Sequence, residues 1–314
     1  MKIVVVDHVH LEEKHVEKLR TIGKLKVFKD PPKDTKELKT RIKNADIAIV
    51  GWSNLTKPVL DCARRLKMIS IWATTCHYVD LEAAKKKGIL VTHVPGYATE
   101  SVAEYTFALL LAAVRKVILA DKHVKNGKFD WRPFGGSELA GKTLGIVGTG
   151  AIGFRVAEIG RTFKMQLLGY DKYPNPRRAQ DVGLKYVDLE TLLKKSDVIT
   201  NHVTLNAETA RLIGKKEIAA MKKGAVFVNT SQGKVVDEDA LVEALKSGRI
   251  SCAGLDVFED EPPHKSNPLF KLENTVLSPH VAFSTAEAEV RCSDICVENV
   301  VNFVEGRYQN VCQV

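Results

Sequence analysis

Residues 144–171 read LGIVGTGAIGFRVAEIGRTFKMQLLGYD, and no other stretch restricts the fold as much. Leu144 to Val147 is a short apolar run suited to a buried parallel strand. Gly148, Gly150 and Gly153 follow as G-x-G-x-x-G. Ala151 to Phe163 then sets Ile152, Val156, Ile159 and Phe163 on one helical face. A second strand, Gln166 to Tyr170, ends at Asp171, 18 residues after Gly153. Gly148 permits a tight strand-to-helix turn, Gly150 lets the backbone approach a pyrophosphate, and Gly153 lets helix and strand pack closely. The helix N-terminus offers unpaired N–H groups and a positive dipole end. Asp171 can accept hydrogen bonds from ribose hydroxyls. This order of parts predicts a dinucleotide site. Asp171 repels a 2′-phosphate, which favours NAD over NADP. Lys172, Arg177 and Arg178 weaken that preference, because arginines in this loop can serve NADP.

The segments before the motif alternate. Strands are predicted at Lys2–Val6, Lys26–Phe28, Ala45–Val50, Met68–Ala73 and Leu90–Val94. Helices are predicted at Leu11–Ile22, Thr35–Ile42, Lys57–Arg65 and Leu81–Lys87. Such alternation implies a parallel, helix-covered sheet of about five strands. Thr99–Lys125 reads as one long helix linking two domains, and Asn126–Lys142 as a polar and aromatic loop. After Asp171 more β/α units follow, with strand ends at Asn229, Val257 and Leu277. Ala286–Glu305 is a last amphipathic helix, expected to return to the first domain.

Length fits two domains at 314 residues, and 45% hydrophobic content suffices for their cores. The net charge of +9 is mostly scattered lysine without interleaved aromatics. It reads as a solvated surface, not a nucleic-acid footprint. The six cysteines form no C-x-x-C pair, and no His or Cys pair completes a zinc set around Cys292 and Cys296. We expect no metal and six reduced thiols in a cytoplasmic protein. The chain starts on the strand-like KIVVVD with no signal peptide, and no apolar run reaches the ~18 residues of a membrane span.

Ligands of open α/β sheets bind beyond the carboxyl ends of strands. Three strand ends carry chemistry. His280, after Thr275–Leu277, is a residue able to exchange protons near neutral pH, or else a surface histidine. Leu255 to Pro263 carries the carboxylates Asp256, Glu259, Asp260 and Glu261, one of which can hold His280 charged and fix its tautomer. The alternative is a metal site or a solvated acidic turn, and the Pro pair and strand geometry do not make a calcium loop. Val226 to Gly233 is a polar strand end able to face a nicotinamide ring.

At these residues the chain resembles the D-isomer-specific 2-hydroxyacid dehydrogenases. The resemblance runs through Ser101-Val-Ala-Glu104, Glu138 to Gly148 and the glycine motif. It continues in Asn229-Thr-Ser-Gln-Gly233, Val235 to Glu238, Leu255 to Glu259, Glu261-Pro262 and Pro279-His280. It implies an α/β protein of two Rossmann-like domains with a cleft between them. Residues 1–98 and 287–314 would form a flavodoxin-like substrate domain, and 99–286 the NAD-binding domain. His280 would be the acid/base and Glu261 its partner. Asp256 would hold the nicotinamide carboxamide. Ala151, Ile152, Val203, Thr209, Thr230 and Ser231 would contact the cofactor. Backbone N–H groups of Thr75, Cys76 and His77 would hold the substrate carboxylate, with Tyr97 nearby. Trp52, Tyr78, Phe283 and the surroundings of Trp131 would wall the pocket. Phe283 resembles the D-lactate branch, and the sequence shows no C-terminal extension of the long phosphoglycerate enzymes. Members are usually dimers that pair through the cofactor domain.

Two positions depart from the family pattern. Cys76 replaces a loop glycine. Gln232 replaces an arginine that grips the carboxylate and keto oxygen of the substrate. A guanidinium offers a charged planar fork, and an amide does not. Gln232 is then a lesion introduced into an ordinary enzyme, a different natural grip, or the mark of a shifted function. The rival from another class is an NAD(H)-binding regulator without turnover, like the corepressors that share this fold.

Overall fold

The computed structural model describes residues 1–313. Its contacts divide the chain into two compact units, Met1–Ala98 with Ser284–Val314, and Thr99–Phe283.

The first unit holds five parallel strands: β1 (Lys2–Val5), β2 (Lys24–Val27), β3 (Ile47–Val50), β4 (Met68–Ile71) and β5 (Leu90–Thr92). Their order is β2-β1-β3-β4-β5, the flavodoxin-like arrangement. Strands β3 and β4 are buried throughout and are apolar except for Ser70, as strands covered on both faces tend to be. The edge strand β2 reads KLKV and is largely exposed, its lysines discouraging further pairing. Just past β1, the fully buried Asp7 accepts backbone N–H groups of Gly51, Trp52 and Ser53 at 2.6, 3.1 and 2.7 Å. One carboxylate thus sets the turn at the carboxyl end of β3.

Helix Ala286–Val304 belongs to this unit. It buries Cys292 and Cys296 against β4, where Ser70 Oγ donates to the Cys296 carbonyl at 3.1 Å. Burial pushes the Cys296 thiol up to about 12, so it stays a neutral packing group. The chain then turns back along β5. Cys312 N donates to the Val91 carbonyl at 2.9 Å, and His93 N to that of Asn310 at 3.0 Å. This return brings Cys312 to Cys76, and the two form a disulfide with Cα atoms 6.3 Å apart. The expectation of six free thiols is therefore wrong for this pair. The cysteines are 236 residues apart, a separation in which no local spacing can signal a bond. Cys62, Cys252, Cys292 and Cys296 are free.

The second unit holds seven parallel strands: β6 (Thr143–Val147), β7 (Gln166–Tyr170), β8 (Leu184–Tyr186), β9 (Val198–Asn201), β10 (Ala225–Asn229), β11 (Ile250–Leu255) and β12 (Thr275–Leu277). The order β12-β11-β10-β9-β6-β7-β8 reverses direction between β6 and β9, so the carboxyl ends of these two strands flank a topological switch point.

Two local expectations fail here. Thr99–Lys125 is two helices, Thr99–Val114 and Val117–Lys125, broken at Lys116 with φ 51°. The carbonyl of Val114 accepts Ser137 N at 3.3 Å, so the following loop caps the first helix. Arg177 and Arg178 lie on a helix, Pro176–Val182, and not in a loop. Asn175 caps it by accepting Arg178 N at 3.1 Å, and Pro176 opens it. Arg178 stacks over Phe154 at 4.3 Å, which commits its guanidinium to packing.

Candidate active site and cofactor cradle

The glycine turn lies at the switch point. Gly148 has φ 91°, a value that side chains disfavour, and a Cβ there would sit 2.7 Å from His202 C and Val203 N. Gly153 packs under the turn, where a Cβ would lie 2.0 Å from the Gly148 carbonyl oxygen. Gly150 differs from both. It is the N-cap of helix Ala151–Thr162, has φ −67°, and a Cβ there would meet nothing within 4 Å. Open space thus faces the helix N-terminus, where Ala151 is exposed and Ile152 half-buried.

Asp171, at the end of β7, accepts Thr149 N and Thr149 Oγ1 on one oxygen, at 2.6 and 3.1 Å. The other oxygen takes Tyr173 N at 2.8 Å and keeps a lone pair for a further donor. At the end of β9, Thr200 Oγ1, Asn201 Oδ1 and both ring nitrogens of His202 are buried without a partner among the described residues. Burial pushes the His202 imidazole down to about 3, so it is neutral, with one donor and one acceptor unused. His202 is not among the site residues expected from sequence. Its only signal there is an imidazole near the end of the strand-like stretch Val198–Val203. An open helix N-terminus, a carboxylate with spare capacity and unused buried polar atoms together fit a dinucleotide across this crevice.

If Gly150 clears room for a ligand, Gly150→Ala should separate binding from folding. We expect loss of the glycine cap to cost at most about 1 kcal/mol, or roughly 2–4 °C in Tm. Affinity for NADH should fall at least about tenfold. Calorimetric titration with NADH alongside a thermal melt checks this. Unchanged affinity would remove Gly150 from the cradle.

The other expected cofactor contacts are placed unevenly. Ser231 Oγ donates to the Val203 carbonyl at 2.5 Å, joining the ends of β10 and β9. Thr230 is 7% exposed, and its hydroxyl pairs with Thr106 at 2.9 Å. Thr209 donates to the Thr204 carbonyl at 2.6 Å within its own turn. The hydroxyls of Thr230 and Thr209 therefore hold secondary structure in place.

The carboxyl ends of β10, β11 and β12 lie side by side. His280 Nδ1 sits 2.7 Å from Glu261 Oε2, and Glu261 Oε1 accepts Phe258 N at 3.0 Å. The hydrogen bond to Glu261 raises the His280 pKa above its ordinary 6.5, outweighing burial. On Glu261, burial acts upward, but the hydrogen bonds from His280 and Phe258 prevail and hold it below the usual carboxylate range. His280 keeps 45% of its side chain exposed, so its far edge is accessible. The Phe283 ring stands edge-on to it at 6.2 Å.

Asp256 directly follows β11. It is fully buried. One oxygen accepts Ser278 Oγ and Val281 N at 2.6 and 2.9 Å, and the other accepts Ala282 N at 2.8 Å. Its own carbonyl accepts His280 N at 2.8 Å. These bonds stabilise the turn that forces His280 to φ 54°. Asp256 thus fixes the turn that carries the imidazole.

Gln232 lies half-buried after β10, and its carbonyl accepts Asn229 Nδ2 at 3.1 Å. Its side-chain amide has no hydrogen-bond partner among the described residues. Arg211 binds Glu259 at 2.8 Å, and Lys234 lies exposed, 3.9 Å from Asp260.

In the first unit, the loop after β4 carries Thr75 and Cys76, both half-buried, and His77, which is exposed and lies 4.1 Å from the Tyr78 ring. The backbone N–H groups of Thr75 and Cys76 have no acceptor among the described residues. Two adjacent free amides suit an anion. Trp52 and Tyr78 meet edge to face at 6.3 Å. Tyr97 is 7% exposed, its carbonyl accepts Arg291 Nε at 2.9 Å, and burial pushes its phenol up. Tyr97 is thus mostly packed inside. Trp131 is 83% exposed.

A glycine turn at the switch point of a parallel sheet defines a dinucleotide-dependent protein, and an imidazole fixed on a carboxylate past the carboxyl end of another strand of the same sheet fits oxidoreductase chemistry. A profile of the D-isomer specific 2-hydroxyacid dehydrogenase NAD binding domain matches residues 107–282. A glyoxylate reductase of Thermococcus litoralis is 42% identical over 300 residues, which cover 93% of this chain and 90% of its own. A D-3-phosphoglycerate dehydrogenase of Archaeoglobus fulgidus is 44% identical over 260 residues, 83% of this chain. The match spans about half (49%) of that longer protein. The structure of an acyclic imino acid reductase in complex with NADPH and D-Arg superposes with a TM-score of 0.91 at 35% identity, over 100% of both chains. The chain belongs to the D-isomer-specific 2-hydroxyacid dehydrogenase family, NAD-dependent oxidoreductases of two Rossmann-like domains. These relatives are named as enzymes, and nothing in them favours the regulator reading. No helix among the described residues is long and apolar enough to cross a membrane.

Proposed function

We propose that the chain reduces a small 2-oxo acid to the D-2-hydroxy acid, and runs the reverse oxidation, with NAD. The observation that carries this reading is the 2.7 Å contact of His280 Nδ1 with Glu261. It leaves Nε2 as the exposed proton-bearing atom. The bound nicotinamide supplies or accepts the hydride. His280 gives its proton to the 2-oxo oxygen as the carbonyl is reduced, and takes it back in oxidation. Glu261 stabilises the imidazolium and fixes its tautomer. Asp256 positions the turn beneath. The free N–H groups of Thr75 and Cys76 hold the carboxylate. Gly148, Gly150, Gly153 and Asp171 hold the dinucleotide, with His202 as a further contact.

The pH dependence has a definite sign. A raised His280 pKa keeps the imidazolium present above pH 6.5. Reduction needs that proton, so kcat/KM should stay flat at lower pH and fall about tenfold per unit above the raised pKa. Oxidation needs the neutral base and should rise over the same window. Glu261→Gln should move the break down toward the ordinary histidine value. A break that stays in place in that variant would separate Glu261 from the titrating group.

The direct test is NADH oxidation with pyruvate, glyoxylate, hydroxypyruvate and phenylpyruvate. Silence with all four, despite NADH binding, would overturn the reading. A second substrate class is favoured by Gln232. A protonated 2-imino acid carries positive charge at the reacting centre, where arginine would repel it and a neutral amide would not. The acyclic imino acid reductase among the structural relatives supports including ammonia and simple amines in the same assay.

The likeness to the family extends the reading to a homodimer. Val117, Ile118, Val124, Phe129 and Trp131 lie exposed on the cofactor-binding unit and are apolar enough to be covered by a second copy. The substrate is a small molecule, and no nucleic acid or membrane enters this reading. The cytoplasm is its setting, and there the Cys76–Cys312 disulfide needs an explanation.

A further inference from the structure

We propose that the Cys76–Cys312 disulfide is a redox-responsive clamp on the anion-binding loop of the first unit. The inference rests on the proposed function only in calling that loop the seat of the substrate carboxylate.

The loop after β4 is tied at both shoulders: the Thr74 carbonyl lies 2.7 Å from His93 Nδ1, and the Tyr78 carbonyl accepts Leu55 N at 2.7 Å. Thr74 Oγ1 donates to the Val94 carbonyl at 3.1 Å, and Val79 N to the Cys76 carbonyl at 3.1 Å. Between them lie Thr75 and Cys76, whose amides are free. The covalent bond at Cys76 is thus a direct restraint on the two groups that would meet an anion. The other end is firmly seated. Cys312 is 8% exposed, bonds to Val91 and comes directly after a bridge between Val311 and Thr92. Asn310 Nδ2 donates to Asn299 Oδ1 at 2.9 Å on the adjacent helix. The bond therefore joins the stretch with the two free amides to a fixed strand edge, and its Cys76 end is half-buried where its Cys312 end is enclosed. Accessible disulfides at functional loops are the exchangeable ones, whereas enclosed ones are inert.

Opening is a two-electron thiol–disulfide exchange with a dithiol. One thiolate of the reductant attacks Cys76 Sγ. The S–S bond breaks with its electron pair on Cys312 Sγ, which takes a proton. The second thiolate then displaces Cys76 as a thiolate, which is protonated, and the reductant leaves as a cyclic disulfide. A low-molecular-weight disulfide reverses the sequence. The oxidised loop holds its amides in place before the anion arrives. The reduced loop must be ordered on binding, which weakens it by roughly five- to tenfold.

The test compares the intact protein, oxidised and dithiothreitol-treated, by three measurements. Alkylation after unfolding should find four thiols in the oxidised form and six in the reduced one. Hydrogen exchange of peptides spanning 72–79 should quicken on reduction. KM for the 2-oxo acids should rise roughly five- to tenfold with kcat within about twofold. Cys312→Ser should match the reduced form under both conditions, while Cys62→Ser should still respond. Six thiols from the outset, or exchange unaltered by reduction, would overturn the clamp. Faster exchange with KM unmoved in an active enzyme would overturn its link to substrate and leave a structural staple. Faster exchange with no turnover in either form would support the clamp and sink the proposed reaction instead.

Discussion

Replacing His280 with asparagine should lower the rate of 2-oxo acid reduction by about a thousandfold while NADH affinity stays within about twofold. Asparagine is the informative choice because position 280 has φ 54°, a left-handed conformation that asparagine tolerates better than most side chains. Alanine should lose activity to the same extent but add about 1–2 kcal/mol of backbone cost. The imidazole contacts Glu261 and the Phe283 ring, and its removal leaves the Asp256 bonds to Ser278, Val281 and Ala282 intact. The turn should therefore persist without the proton donor. Stopped-flow hydride transfer together with NADH titration decides the matter. Equal loss of turnover and of NADH affinity would give His280 a structural role and remove it from the chemistry.

Gln232→Arg should raise the rate with 2-oxo acids by 100-fold or more. A charge-assisted hydrogen bond is worth about 1.5–3 kcal/mol, or roughly 10- to 150-fold, and more where charge develops on the keto oxygen. Arg211 is held by Glu259 at 2.8 Å, and Lys234 is an exposed side chain 3.9 Å from Asp260. If glutamine is a lesion, arginine repairs it. A parent that already turns over well, and gains nothing from arginine, would show that the carboxylate is held in another way, with the Thr75 and Cys76 amides as the first candidates. A gain with 2-oxo acids joined to a loss with imines would assign glutamine a selective role, because the introduced charge repels an iminium and attracts a carboxylate.

Much of the site was legible because its parts are local. The G-x-G-x-x-G run, the strand before it and Asp171 after it obey backbone rules that act within about 30 residues, and the structure places them at the switch point as those rules require. His280 and Glu261 stand out in the sequence as polar residues just past the ends of apolar strands. Their pairing at 2.7 Å depends on β11 and β12 being neighbours, which no local pattern states. Asp256 was legible only in part. Its position at a strand end suggested a ligand contact, whereas its bonds to residues 278–282 exist only once the strands are side by side. The break in the long helix was not legible, because it depends on Ser137 capping Val114 from a distant loop.

The sequence by itself determined the class of fold, the cofactor motif and the acid/base candidates, because hydrophobic periodicity and glycine geometry are properties of short stretches. Only the tertiary structure decided the pairing of Cys76 with Cys312, the unused nitrogens of the buried His202 and the commitment of Arg211 to Glu259. Each of these arises from groups far apart in the chain, whose meeting is fixed by the packing of whole strands and helices.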